Sequence, residues 1–112
     1  MDCNFQNIDA VFKKINNDSN WDIKQNLKWG FFFIHKSPDL LQKLCDFLLK
    51  EWHTYEDLRK IDNSKDWILC ISKSEIHTPE SLHEKNLYFN SLAELLKIDS
   101  YDGWDVGPLW ME

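Results

Sequence analysis

Glycine and proline are scarce in this 112-residue chain, at three of each. That scarcity argues against disorder and against a loop-rich scaffold. Cysteine is equally sparse and odd in number. Cys45 and Cys70 sit inside apolar runs, where a reduced thiol packs as a small hydrophobe, and Cys3 is isolated near the start. A disulfide framework is not expected, and the usage suits the cytoplasm. There is no basic start followed by an apolar leader, and no window approaches the roughly 20 apolar residues of a membrane span.

Missing motifs narrow the chemistry further. There is no Gly-rich phosphate loop and no Gly-x-Ser-x-Gly. His35, His53, His77 and His83 fall at no spacing that a zinc site would use, so no metal and no cofactor are expected. A meeting of Cys70 with His53 across adjacent strands is conceivable, but an inert buried thiol accounts for Cys70 better. Arginine occurs once, at Arg59, against 19 acidic residues and a net charge of −6. Aromatic stacking on nucleic acid needs basic company, and an acidic surface repels phosphate, so the expected partner is a basic protein, with no direct nucleic acid and no membrane.

What is present is a globular domain. Hydrophobic residues at 43% and aromatics at 14% suffice for one core in one domain of this length. Phe5, Ile8, Val11, Phe12 and Ile15 repeat at helical spacing and predict an N-terminal helix over about 5–16. The core then covers about 27–107. Lys28 to His35 is a short aromatic run, apolar on both faces, and predicts a central strand. Ser37-Pro38-Asp39 reads as N-cap, first helical position and first-turn acid, and the stripe Leu40, Leu41, Leu44, Cys45, Leu48, Leu49 follows. Glu51 to Lys60 alternates, with Trp52, Thr54 and Glu56 on one side and His53, Tyr55 and Asp57 on the other, as an edge strand blunted by charge would. Trp67 to Ser72 is a second buried strand, and Thr78-Pro79-Glu80 opens a second helix. Ser100 to Val106 reads as a turn at Asp102-Gly103 leading into a last short strand.

The order after the first helix is strand, helix, strand, strand, helix, strand. Two such units predict a ferredoxin-like βαββαβ sandwich, an α+β fold with an antiparallel sheet and two helices on one face. The N-terminal helix is extra, and either covers the open sheet face or packs at an edge. Six tryptophans are more than so small a core holds comfortably. Trp29, Trp67 and Trp104 read as structural, whereas Trp21, Trp52 and Trp110 lie in polar or terminal contexts and suit a binding surface.

The segment from Thr78 through Leu92-Ala93 to Tyr101-Asp102-Gly103-Trp104 resembles the C-terminal half of the RraB family over roughly residues 66–106. The resemblance implies the ferredoxin-like fold and a non-catalytic role, because the founding member binds ribonuclease E and modulates its activity. The expected function is therefore binding and inhibition or regulation of a ribonuclease, and no enzyme activity. An alternative is an immunity protein that neutralises a cognate toxin nuclease. A lesser one is a small-ligand binder or enzyme on the sheet face, using His53 and Tyr55. Candidate partner-binding residues are Trp52, Tyr55, Glu56, Asp57, Asp99, Asp102, Asp105 and Trp110. Tyr101, Asp102, Gly103 and Trp104 are expected to be mainly structural.

Overall fold

The structure, a computed structural model, describes Ile8, residues 10–13 and residues 26–107. Four strands, β1 (Leu27–His35), β2 (Thr54–Lys60), β3 (Trp67–Glu75) and β4 (Ser100–Gly107), and two helices, α1 (Pro38–Lys50) and α2 (Pro79–Leu95), run in the order β1-α1-β2-β3-α2-β4. The sheet is antiparallel with spatial order β2-β3-β1-β4. This is the expected α+β, ferredoxin-like arrangement. The aromatic run lies in an inner strand and the charged strand at an edge, where its unpaired backbone meets water.

β1 alternates strictly between buried and half-buried residues. Leu27, Trp29, Phe31, Phe33 and His35 face the helices, and Lys28, Gly30, Phe32 and Ile34 face the other way. Phe31 and Phe33 meet Phe89 of α2 edge-on at 4.8 and 5.3 Å. From α1, Leu41, Leu44, Cys45 and Leu48 complete the same core. Each fully buried Leu or Phe contributes about 1.5–3 kcal/mol relative to leaving it exposed. The N-terminal helical residues join this face: Ile8 and Phe12 are buried in the core and Phe12 stacks on Trp29 at 5.8 Å. They do not cover the open face of the sheet. Among the described residues, no helix is long and apolar enough to cross a membrane, and no group of three or more His, Cys, Asp or Glu is placed to hold a metal.

Both helices start as the Ser/Thr-Pro-acid signal predicts, with one difference. Thr78 and Ser81 form a reciprocal capping box, each side-chain oxygen accepting the other's backbone N–H. Ser37 occupies the N-cap of α1, but its hydroxyl makes no capping bond. Both helices end alike. In α1 the amides of Trp52 and His53 return to the carbonyls of Leu49 and Leu48; in α2 those of Lys97 and Ile98 return to Glu94 and Ala93. This is the Schellman pattern, whose first residue past the cap is left-handed. Trp52 and Lys97 accordingly have φ of 69° and 58°.

Two bulges revise the expected side-chain pattern. In β4 the Tyr-Asp-Gly-Trp segment is not a turn; it lies inside the strand. Phe32 pairs with Gly103 and Phe33 with Tyr101, so Asp102 is the extra residue. Residues three apart on a regular strand face opposite sides. The bulge puts Tyr101 and Trp104 on the same side, where Tyr101 lies 5.1 Å from Phe33 and Trp104 lies 5.8 Å from Trp29. Gly103 supplies the necessary conformation at φ 132°. In β2, Tyr55 pairs with Ile71 and Asp57 with Cys70, leaving Glu56 as the extra residue. Tyr55 and Asp57 therefore face opposite sides, against the expected alternation.

Candidate partner-binding corner

One end of the sheet gathers Trp52, Tyr55, Glu56, Asp57 and Asp105. The register aligns Thr54, Ser72, Gly30 and Asp105 across all four strands in a single row. α1 ends at this edge of the molecule and α2 begins there. Trp52 projects from the junction of α1 and β2 with 84% of its surface exposed. Leu49, 43% exposed, lies one turn back on α1, and Tyr55, 48% exposed, follows on β2.

The backbone under Trp52 is held firmly. Besides the Schellman bonds, the Lys73 ammonium donates to the Glu51 carbonyl at 3.4 Å, a cation at a helix C-terminus. The Tyr88 hydroxyl donates to the Glu51 carboxylate at 2.8 Å and ties α2 to the end of α1. Burial of that hydroxyl and its bond to the Glu51 anion push the Tyr88 pKa up to about 12.

His53 fills the space directly behind. It is 7% exposed, against the rings of Phe31 and Phe89. Burial, with the positive charges of Lys85 and Lys73 outweighing its backbone bond and Glu75, lowers its pKa to about 4. The ring is therefore neutral near pH 7 and donates Nδ1–H to the Leu48 carbonyl at 3.2 Å. Its Nε2 is buried without a hydrogen-bond partner. The same carbonyl also closes the Schellman motif, so His53 fixes the turn through backbone and side chain together.

A charged cluster anchors the start of α2 beside it. Glu75, at the end of β3, accepts from Lys85 at 2.7 Å and is bonded to His77 Nε2. His77 Nδ1 lies 2.9 Å from the Ser81 hydroxyl of the capping box. Burial alone would raise the pKa of Glu75; the bonds to His77 and Lys85 outweigh it and bring the value down to about 2. Burial lowers the pKa of Lys85, opposed by Glu75, and the ammonium also sits over the ring of Phe31 at 5.0 Å.

The opposite face of the same row is open. A shallow groove of about 370 Å³ is lined by Lys28, Gly30, Phe32, Glu56, Ser72 and Asp105 among others. Glu56 accepts from Ser72 at 2.7 Å and from Lys28 at 3.0 Å. Burial of its carboxyl raises the Asp105 pKa, against the Gly30 amide and Lys28, which pull it down. A Cβ at position 30 would stand 2.3 Å from the Asp105 carboxylate oxygen, so glycine leaves room for that carboxylate to lie against the β1 backbone, and a side chain there would turn it away. Burial first, then the charge of Asp57, raises the pKa of the Cys70 thiol on this face.

The residues singled out from the sequence thus separate into groups. Trp52, Tyr55, Glu56 and Asp57 lie together around the first half of β2, and Asp105 shares their end of the sheet. Asp99 and Asp102 lie at the other end. The Asp99 carboxylate accepts the Lys36 amide at 3.2 Å, and its own amide donates to His35 Nδ1 at 3.1 Å, so it pins β1 to the start of β4. Asp102 is exposed, on the edge strand opposite the one that carries Arg59 and Lys60. Trp21, Trp110 and Cys3 lie outside the described residues. His53 and Tyr55 do not sit on the open face, which removes the arrangement imagined for a ligand site there, and Cys70 and His53 occupy opposite sides of the sheet. Sequence reasoning missed the Glu75–Lys85–His77 cluster. Its one legible signal was Lys85 beside the buried stripe Leu82, Asn86 and Phe89, because a charge at that position of a helix has to be paired.

The family model described as RraB, Regulator of ribonuclease activity B, matches residues 6–106. No curated protein and no solved structure matches the chain.

Proposed function

The chain belongs to the RraB family, and from that premise we propose that it regulates a ribonuclease by binding it, without catalysing a reaction. The match across nearly the whole domain carries this reading. The chemistry of the described side chains agrees with it. Burial raises the pKa of the Cys45 and Cys70 thiols, which makes both poor nucleophiles near neutral pH. Glu75, Lys85 and His77 satisfy one another within the fold.

The proposed contact surface wraps the β2 edge, with Trp52 and Tyr55 on the helix side and Glu56 and Asp57 at and beyond the bulge. An acidic domain of net charge −6 attracts a basic protein over long range, and exposed aromatic rings supply the short-range hold. The free thiols of Cys45 and Cys70 fit action in the reducing cytoplasm.

The test is to immobilise the intact chain, pass over it an extract of its own cells, and assay the eluate with a fluorogenic RNA. A retained ribonuclease whose cleavage rate falls as free chain is added, less so at high salt, is the expected result. Retention of no ribonuclease, or a rate indifferent to the chain, would overturn the proposal.

A further inference from the structure

The geometry points to Trp52 as the residue that anchors the ribonuclease partner, an inference that rests on the binding function proposed above. Three residues other than glycine have positive φ among the described residues: Asn63, Lys97 and Trp52. Asparagine tolerates this region readily, and in a hairpin turn such as that at Asn63 it is unremarkable. Lys97 and Trp52 occupy equivalent positions, each the first residue beyond a Schellman cap, where glycine is favoured because it has no Cβ to crowd the backbone.

Nothing in the fold explains why Trp52 is a tryptophan. With 84% of its surface exposed, the side chain contributes little to the core, and it holds a backbone conformation that a smaller residue would adopt more easily. Its neighbours His53, Glu51, Lys73 and Tyr88 all serve to fix the turn beneath it. A large ring held out on a rigid turn loses little freedom on binding, which is the property of a residue that fills a partner's slot. Leu49 and Tyr55 extend the apolar contact, Glu51 adds a carboxylate beside it, and the domain as a whole carries a net charge of −6; Glu56 and Asp57 face the other side of the β2 edge. The occupant is accordingly a basic ribonuclease with an apolar slot rimmed by Lys or Arg. An exposed functional residue in a strained position implies that stability and binding conflict at that position.

That conflict gives the test. Trp52→Gly should keep or raise the melting temperature, by roughly 2–5 °C for a domain of this size. It should also weaken inhibition of the captured ribonuclease, read with fluorogenic RNA, by tenfold or more. Lys97→Gly makes the same backbone change at the end of α2, and should gain similar stability with inhibition unchanged. A 5-fluorotryptophan-labelled chain should show one resonance that is absent in Trp52→Gly and that shifts when the ribonuclease is added. Wild-type inhibition by Trp52→Gly would overturn the anchor and leave the regulatory function standing. Equal weakening in both glycine variants would also overturn it, by tracing the effect to the helix ends. If the wild-type chain captures and inhibits no ribonuclease, the proposed function falls first and the anchor with it.

Discussion

The Tyr101 hydroxyl donates to the side-chain oxygen of Asn86, joining β4 to α2 through a bond closed off from solvent. Asn86 is fully buried, and its amide nitrogen has no hydrogen-bond partner. Tyr101 therefore satisfies the part of this side chain that the fold does satisfy. Tyr101→Phe leaves the ring in place but strands the Asn86 oxygen, which should cost about 1–3 kcal/mol. Adding Asn86→Leu should restore much of that loss, since removing both polar partners together is far cheaper than removing one. Urea unfolding of the two single variants and the double variant checks this. A double variant as unstable as the sum of the singles would mean that the bond contributes nothing.

Gly103 sits at φ 132° in the β4 bulge, a region closed to side chains with branching at Cβ. Gly103→Val should cost about 1–3 kcal/mol from backbone strain alone. It should also disturb the bulge that turns Tyr101 and Trp104 to one face. The observable is the near-ultraviolet circular dichroism of the aromatic core alongside the melting temperature. A Val variant with wild-type stability and an unchanged aromatic signal would show that the bulge does not need glycine.

That bulge marks where the sequence stopped being legible. Element order, the buried inner strand at Trp29 to Ile34 and both Pro-started helices could be read directly, because each rests on a local pattern: a run, a stripe or a cap. Tyr-Asp-Gly-Trp could not be placed the same way. Asp-Gly favours a turn in isolation, and only pairing with Phe32 and Phe33 turns it into an extra residue within a strand. Glu56 escaped for the same reason, since one inserted residue reverses the sides of everything beyond it. The exposure of Trp52 was suggested by its polar surroundings, but its left-handed backbone follows from how α1 ends. The Glu75–Lys85 pair joins residues from two elements and had no sequence signal beyond one misplaced charge.

His53 should make stability sensitive to pH. Its pKa falls from an ordinary value near 6.5 to about 4 in the folded chain, so between those values the unfolded state binds the extra proton. Stability is thus full above about pH 6.5 and declines as pH falls toward 4. His53→Asn can retain a donor for the Leu48 carbonyl without titrating. Melting temperatures of the two proteins, followed from pH 7 to 4, should converge as the histidine form loses its advantage. Parallel curves across that range would show that His53 does not carry the effect.

Glu75 should act in a lower window and with a different partner. Its folded pKa lies near 2, below the ordinary 4.5, so its contribution is fully present above about pH 4.5 and is lost as pH falls toward 2. Glu75→Gln keeps the shape but leaves Lys85, whose side chain is 14% exposed, without its anion. Breaking a buried pair from one side costs about 3–5 kcal/mol where burial is complete, and roughly 2–3 kcal/mol is expected here because water reaches part of the cluster. The gap between wild type and Glu75→Gln should stay constant from pH 7 to 5 and narrow below 4.5, as protonation turns the wild-type side chain into a near copy of the glutamine. The His53 contribution changes mainly above pH 4, so the two variants divide the acid limb between them. If the Glu75→Gln gap instead narrowed between pH 6.5 and 5, the carboxylate would not have the depressed pKa that His77 and Lys85 impose on it.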